Sequence, residues 1–136
     1  MGIEETIRRS KEYIDAGADM IFPEGLATRE EFAQVAQVLK QHKPDVFLLA
    51  NMTEFGKTPM IKLAEFESMG YNCVIYPVTT LRIAMLAIDK CLDSLIDTGS
   101  MEQSLPDMYT RKQLYSLLDY TPGQEWYYPT PAQKKE

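Results

Sequence analysis

Cysteine, histidine and tryptophan are all scarce in this chain: two cysteines, one histidine and one tryptophan among 136 residues. Cys73 and Cys91 lie in apolar stretches without C-x-x-C spacing. A disulfide framework and a zinc site are therefore not expected, and a reducing compartment is the default. Excess positive charge is also lacking. The formal net charge is −6, which argues against a general nucleic-acid or anionic-membrane binder, although a few arginines can still dominate a pocket for a small anion. No apolar run reaches the roughly 18 residues of a membrane-spanning helix. The start, Met1-Gly2-Ile3-Glu4-Glu5, is polar and helix-forming with no signal-peptide core. No stretch is of low complexity. What is present, 45% hydrophobic and 25% charged residues, is the profile of a soluble globular protein.

Three short apolar runs read as strands buried on both faces: Met20-Ile21-Phe22, Val46-Phe47-Leu48-Leu49-Ala50 and Cys73-Val74-Ile75-Tyr76. Continuous apolar runs of this length suit a parallel sheet. Amphipathic helix patterns fill the gaps, so the chain reads as repeated βα units of an α/β fold. A barrel and a doubly wound sheet would both give that alternation. Ile3 to about Ala16 forms a first helix with Gly17 as its stop. Thr28 and Glu31 make a T-x-x-E capping box for a helix with Phe32, Val35 and Leu39 on one face. Thr58-Pro59 reads as N-cap and N1 of the next helix, ending at Gly70. Thr79 or Thr80 caps a long helix carrying Leu81, Met85, Ile88, Leu92 and Leu95, which Gly99 terminates. A last helix covers about Tyr109 to Leu118. The segment 121–136, with Pro122, Pro129 and Pro131, is expected to be an extended tail, and Trp126, Tyr127 and Tyr128 to lie against some surface.

Each strand run ends in polar residues: Pro23-Glu24 after the first, Asn51-Met52-Thr53-Glu54-Phe55-Gly56 after the second, and Pro77 with Thr79, Thr80 and Arg82 after the third. Ligands bind at the C-terminal ends of parallel strands in barrels and open sheets alike. A carboxylate, an amide with a hydroxyl and an arginine there would suit a polyanionic, hydroxyl-bearing small molecule. Blander roles stand beside this one. Glu24 can simply support a helix N-terminus, and Asn51 and Thr53 can cap a loop. Arg82, by contrast, sits in a helix's first turn, where the dipole disfavours a cation, so a functional reason for it is preferred. Arg111 by itself reads as a surface residue. His42 reads as part of a loop before the second strand, with Asp45 the acid nearby, and is not expected to be catalytic.

The stretches Gly17-Ala18-Asp19-Met20-Ile21-Phe22-Pro23-Glu24 and Leu49-Ala50-Asn51-Met52-Thr53-Glu54-Phe55-Gly56-Lys57-Thr58-Pro59, then Tyr76-Pro77 with Arg82, and Tyr109-Thr110-Arg111 with Leu114-Tyr115, resemble the 2-methylisocitrate lyase family. That family belongs to the isocitrate lyase/phosphoenolpyruvate mutase superfamily. The N-x-T-E-F-G-x-T-P block is the most specific part of the resemblance, which extends to about Tyr120. It implies a parallel (β/α)₈ barrel, of which residues 1–120 would be the C-terminal portion, about three βα units with an extra helix. A complete barrel needs roughly 250 residues. It further implies Mg²⁺-dependent cleavage of 2-methylisocitrate into pyruvate and succinate, the metal stabilising charge on pyruvate and a cysteine protonating the succinate carbanion.

By the same resemblance, Glu24, Asn51, Met52, Thr53, Arg82 and Arg111 bind the tricarboxylate substrate. The metal-liganding aspartates and the K-K-C-G-H loop with the catalytic cysteine would lie upstream, so no catalytic or metal residue is expected in this chain, and it would need the missing N-terminal part of the barrel. The resemblance also implies that the helix from Thr79 is the eighth, which in this superfamily is exchanged between partner subunits, so a homo-oligomer is expected. The implied compartment is the cytoplasm, or the mitochondrial matrix in a eukaryote. Alternatives remain: a carboxyphosphoenolpyruvate mutase-like activity, an oxaloacetate decarboxylase, or a non-catalytic remnant that serves association.

Overall fold

The structure, a computed structural model, describes residues 2–124; the expectations for Trp126 and the rest of the tail lie outside them. The order of elements is α1 (Ile3–Asp15), β1 (Met20–Ile21), α2 (Arg29–His42), β2 (Phe47–Asn51), α3 (Leu63–Met69), β3 (Cys73–Ile75), α4 (Thr79–Thr98), a 3₁₀ helix (Glu102–Asp107) and α5 (Arg111–Leu117). The chain divides into two compact units, Met1–Leu86 and Ala87–Glu136, with the boundary inside α4.

In the first unit the three strands are parallel and in the order β1-β2-β3. Met20 pairs with Phe47 and Ile21 with Leu48; Leu49, Ala50 and Asn51 pair with Cys73, Val74 and Ile75. Parallel neighbours require a crossover, and α2 and α3 supply them. The T-x-x-E signal works much as written. Thr28 Oγ1 accepts from the Glu31 N–H at 3.2 Å, while the Glu31 carboxylate reaches one residue further back, to the Ala27 N–H at 2.6 Å. At Gly70, φ is +92°, a left-handed conformation that releases the chain from α3 into β3.

The core gathers on one face of the sheet. Ile21, Leu48 and Ala50 meet Phe32, Val35, Ala36 and Leu39 of α2, Phe66 of α3, and Ile7 and Ile14 of α1. At its centre Phe32, Phe66 and Tyr71 form a ring trio, all edge-to-face, with centroids 5.2, 5.3 and 5.7 Å apart. Burying each such side chain contributes about 1.5–3 kcal/mol. The strands are not buried on both faces, contrary to the sequence expectation: Met20 and Phe47 stay about half exposed. The strand period of two sends alternate residues to the face opposite the core.

Two helix starts also differ from expectation. Thr58 does not cap α3. Its hydroxyl donates to the Leu26 carbonyl, Ile61 is buried, and the helix begins only at Leu63, where the Glu65 carboxylate accepts the Lys62 N–H at 2.9 Å. Thr79 is the first residue of α4 and not its cap, because its hydroxyl is taken by Glu54.

In the second unit, Thr110 and Gln113 cap α5 reciprocally, and the rings of Tyr115 and Tyr120 meet edge-on at 4.9 Å. Gly99, at φ +68°, ends α4 as expected. Along its whole length α4 buries no residue, so the stripe of Leu81, Met85, Ile88, Leu92 and Leu95 is exposed. Among the described residues no helix is long and apolar enough to cross a membrane.

Candidate functional site at the C-terminal ends of the strands

Because the strands are parallel, the segments that follow them leave from one edge of the sheet. After β1 the alternation continues as buried Ile21, exposed Phe22, buried Pro23 and exposed Glu24. Glu24 has no hydrogen-bond or ion-pair partner among the described residues. It lines a cleft of about 410 Å³ beside β1 and α1, shared with Phe22, Arg9 and Tyr13.

After β2 the same alternation has a sharper outcome. Asn51 ends the strand half-exposed, Met52 is fully buried, and Thr53 is again half-exposed. Met52 is anchored twice: its N–H donates to the Ile75 carbonyl at 2.9 Å, and its Sδ accepts the Ile61 N–H at 3.4 Å. Its side chain thus belongs to the core, and only its backbone can face a ligand. The Thr53 hydroxyl donates to Asn51 Oδ1 at 2.8 Å. That bond fixes the amide's orientation and leaves the Asn51 NH₂ to donate elsewhere, the polarity a carboxylate requires.

The next residue was not singled out as a site residue in the sequence, yet it organises this edge. The Glu54 carboxylate accepts the Thr79 hydroxyl through one oxygen and pairs through the other with Arg82 Nη1 at 3.2 Å. Arg82 Nη1 also donates to the Glu54 carbonyl at 2.5 Å. The Thr79 hydrogen bond first, then Glu54's own backbone N–H, hold this carboxyl below its ordinary range against desolvation, with the Arg82 charge adding a lesser pull in the same direction. The pairing also answers the dipole problem noted for Arg82, since an anion now stands beside the cation in the first turn of α4. Phe55, at φ +62°, lays its ring 5.2 Å from the Arg82 guanidinium and is itself almost wholly exposed. The available signal was the position of Glu54 and Phe55 inside the N-x-T-E-F-G block; the partner across the fold was not visible.

Asn51, Thr53 and Arg82 are therefore joined through consecutive residues of one loop, with Glu24 at the end of the neighbouring strand. Arg111 belongs to the second unit, where it opens α5 with its side chain exposed. His42 is the last residue of α2 rather than part of a loop, and its partner is Asp15 at 2.7 Å, not Asp45. These residues do not fit a magnesium site of their own. Among the described residues no three potential ligand side chains cluster, and Glu54 is already committed to Thr79 and Arg82.

A family model described as phosphoenolpyruvate phosphomutase matches residues 1–96. Among curated proteins, the chain is 49% identical over 119 residues to a 2-methylisocitrate lyase of Bacillus subtilis (strain 168), covering 88% of this chain and 38% of that protein. It is 48% identical to a probable 2-methylisocitrate lyase 1 of Corynebacterium glutamicum, with the same coverage. Among solved structures, a trigonal crystal form of 2,3-dimethylmalate lyase superposes with a TM-score of 0.72 at 35% identity, covering 85% of this chain and 38% of that one. Oxaloacetate acetylhydrolase in complex with oxalate superposes with a TM-score of 0.71 at 32% identity, covering 84% and 37%. The chain thus spans less than two fifths of the length of these relatives.

Proposed function

Since the chain belongs to the phosphoenolpyruvate phosphomutase family, we propose that it supplies the substrate-carboxylate half of a carbon–carbon lyase site that cleaves 2-methylisocitrate to pyruvate and succinate. Its three βα units are part of a (β/α)₈ barrel, as in the superfamily structures it superposes on. The observation that carries the proposal is the loop after β2, which joins a fixed Asn51 amide and the Arg82 guanidinium on one strand edge.

Each residue has a role that its chemistry supports. Arg82 offers a planar fork for one carboxylate, and Arg111 offers another. The Asn51 NH₂ and the Thr53 hydroxyl orient a carboxylate by hydrogen bonds, with the Met52 backbone between them. Glu24, as a free carboxylate, accepts the substrate hydroxyl. Mg²⁺ would have to be held by residues outside this chain, as would the acid that protonates the leaving carbanion. The exposed apolar stripe of α4 suits exchange with a second copy in a homo-oligomer. The higher identity to 2-methylisocitrate lyases, 43–49% for five of them, favours this substrate over those of the other lyases and hydrolases it superposes on.

The test is pyruvate release from 2-methylisocitrate with Mg²⁺ present. The chain alone should give no turnover, since loss of general acid catalysis costs a factor of roughly 10²–10⁴ before the metal is considered. Mixed with the N-terminal part of a 2-methylisocitrate lyase, it should restore metal-dependent pyruvate formation. Turnover by the chain alone would show that the catalytic groups are misplaced here. No rescue by the N-terminal part would favour a non-catalytic chain.

A further inference from the structure

We propose that Glu54 and Thr79 are positioning residues for Arg82, fastening one end of its guanidinium so that the opposite edge is held open to a ligand carboxylate. The connection runs in one line. The Thr79 hydroxyl takes one Glu54 oxygen, leaving the other to Arg82 Nη1 at 3.2 Å, and the Glu54 carbonyl accepts the same nitrogen at 2.5 Å. Thr79 and Arg82 stand three residues apart in the first turn of α4, so one turn of helix is clamped to the loop after β2. Nη1 is consumed. Nε and Nη2 have no hydrogen-bond partner among the described residues. Those two N–H groups are the parallel pair of a guanidinium, spaced to meet both oxygens of one carboxylate. The Arg82 guanidinium carbon also lies over the Phe55 ring, 5.2 Å from its centroid.

A carboxylate beside a ligand-binding arginine would ordinarily be read as competition: it neutralises the charge that the ligand needs. The geometry separates the two tasks, because Glu54 engages the Nη1 end and the open pair lies on the other side. The lowered pKa of Glu54, caused first by the Thr79 hydroxyl, keeps the clamp charged through the neutral range. The proposal rests on the carboxylate-site reading for what Arg82 receives, but not for how Arg82 is held.

Two measurements by ¹⁵N NMR on the protein test it, with the Arg82 Nε–H signal assigned as the one lost in Arg82→Lys. The first is the order of that bond without ligand. In the wild type it should be as restricted as backbone, with an order parameter near ~0.85, and in Glu54→Gln and Thr79→Val it should fall toward ~0.6 or below. Thr79→Ser should restore it. The second is titration with tricarballylate, a plain tricarboxylate. Positioning predicts at least tenfold weaker binding in Glu54→Gln. If Glu54 only neutralises Arg82, the same variant will bind the trianion more tightly, and the proposal fails. Unchanged order in both variants would also overturn it. Should Glu54→Gln not fold, the Thr79→Val and Thr79→Ser pair decides alone. Order that falls as expected, with tricarballylate leaving Arg82 untouched in the wild type, would sustain the clamp and refute the carboxylate reading under Proposed function.

Discussion

Replacing Phe66 by Ala tests the packing that holds the strand edge in place. The ring is fully buried and meets Phe32 at 5.2 Å and Tyr71 at 5.3 Å, both edge-to-face. Truncation removes the transfer free energy of the ring and leaves a cavity, about 3–5 kcal/mol for Phe→Ala. At ~0.05–0.15 kcal/mol per residue, a unit running from Met1 to Leu86 has roughly 4–13 kcal/mol to lose. Phe66→Ala should therefore take a large share of it, and can unfold the unit outright at the low end. Phe66→Leu keeps most of the volume but loses both ring pairs, each worth about 0.5–1.5 kcal/mol, so it should cost ~1–3 kcal/mol. Equilibrium urea unfolding followed by far-UV circular dichroism reads both, with the slope against urea serving as the check that one transition is being compared. A loss below ~1 kcal/mol for Phe66→Ala at unchanged slope would refute the claim that this trio is the centre of the core.

Tyr71 extends the same logic to pH. Burial pushes its phenol well above the ordinary value of 10.0, so its stabilising contribution is complete below about pH 10 and is lost as pH rises beyond that; Tyr71→Phe should remove this alkaline decline in urea titrations. Gly70→Ala should cost about 1–2 kcal/mol by the left-handed strain alone, since at φ +92° its added Cβ meets nothing nearer than the Lys40 side chain at 3.8 Å; a neutral effect on the urea midpoint would contradict the C-cap geometry. In the complemented enzyme, Arg82→Ala should weaken transition-state stabilisation by about 2–5 kcal/mol in kcat/KM, and an unimpaired enzyme would exclude Arg82 from the site. His42→Ala should leave pyruvate formation unchanged and stability within about 0.5 kcal/mol, because it removes only an exposed pair with Asp15.

Local grammar was readable in the sequence, and long-range partnership was not. Thr28 with Glu31, Gly70 and Gly99 each declare their roles within four residues, and the three parallel strands follow from runs of apolar residues with helices between. Thr58-Pro59 satisfies the same grammar, yet its hydroxyl serves Leu26, thirty-two positions earlier in the chain. Thr79 likewise looks like a cap until Glu54, twenty-five positions away, takes its hydroxyl. At the site, Asn51, Thr53 and Arg82 were named from their places after strand ends and from the resemblance. Glu54 carries no signal of its own in the sequence, since an acid in a polar loop looks solvated until the fold brings an arginine to it. For His42 the acid close by in sequence is Asp45, whereas the fold supplies Asp15 from the end of α1.

The fully buried Met52 between two polar neighbours has a consequence for how variants of this chain would behave. One short stretch of backbone carries a core side chain on one side and two half-exposed polar groups of the proposed site on the other, so folding and the proposed recognition share the same three residues. On the proposed reading, a packing defect at Ile61, whose N–H meets Met52 Sδ, or at Phe66 in the same core would loosen that stretch and register as weakened carboxylate affinity. Conversely, substitution at Asn51 or Thr53 is confined to side chains that tolerate an extended backbone pinned at Met52. Selection on what the site binds is, along this stretch, also selection on whether the chain folds.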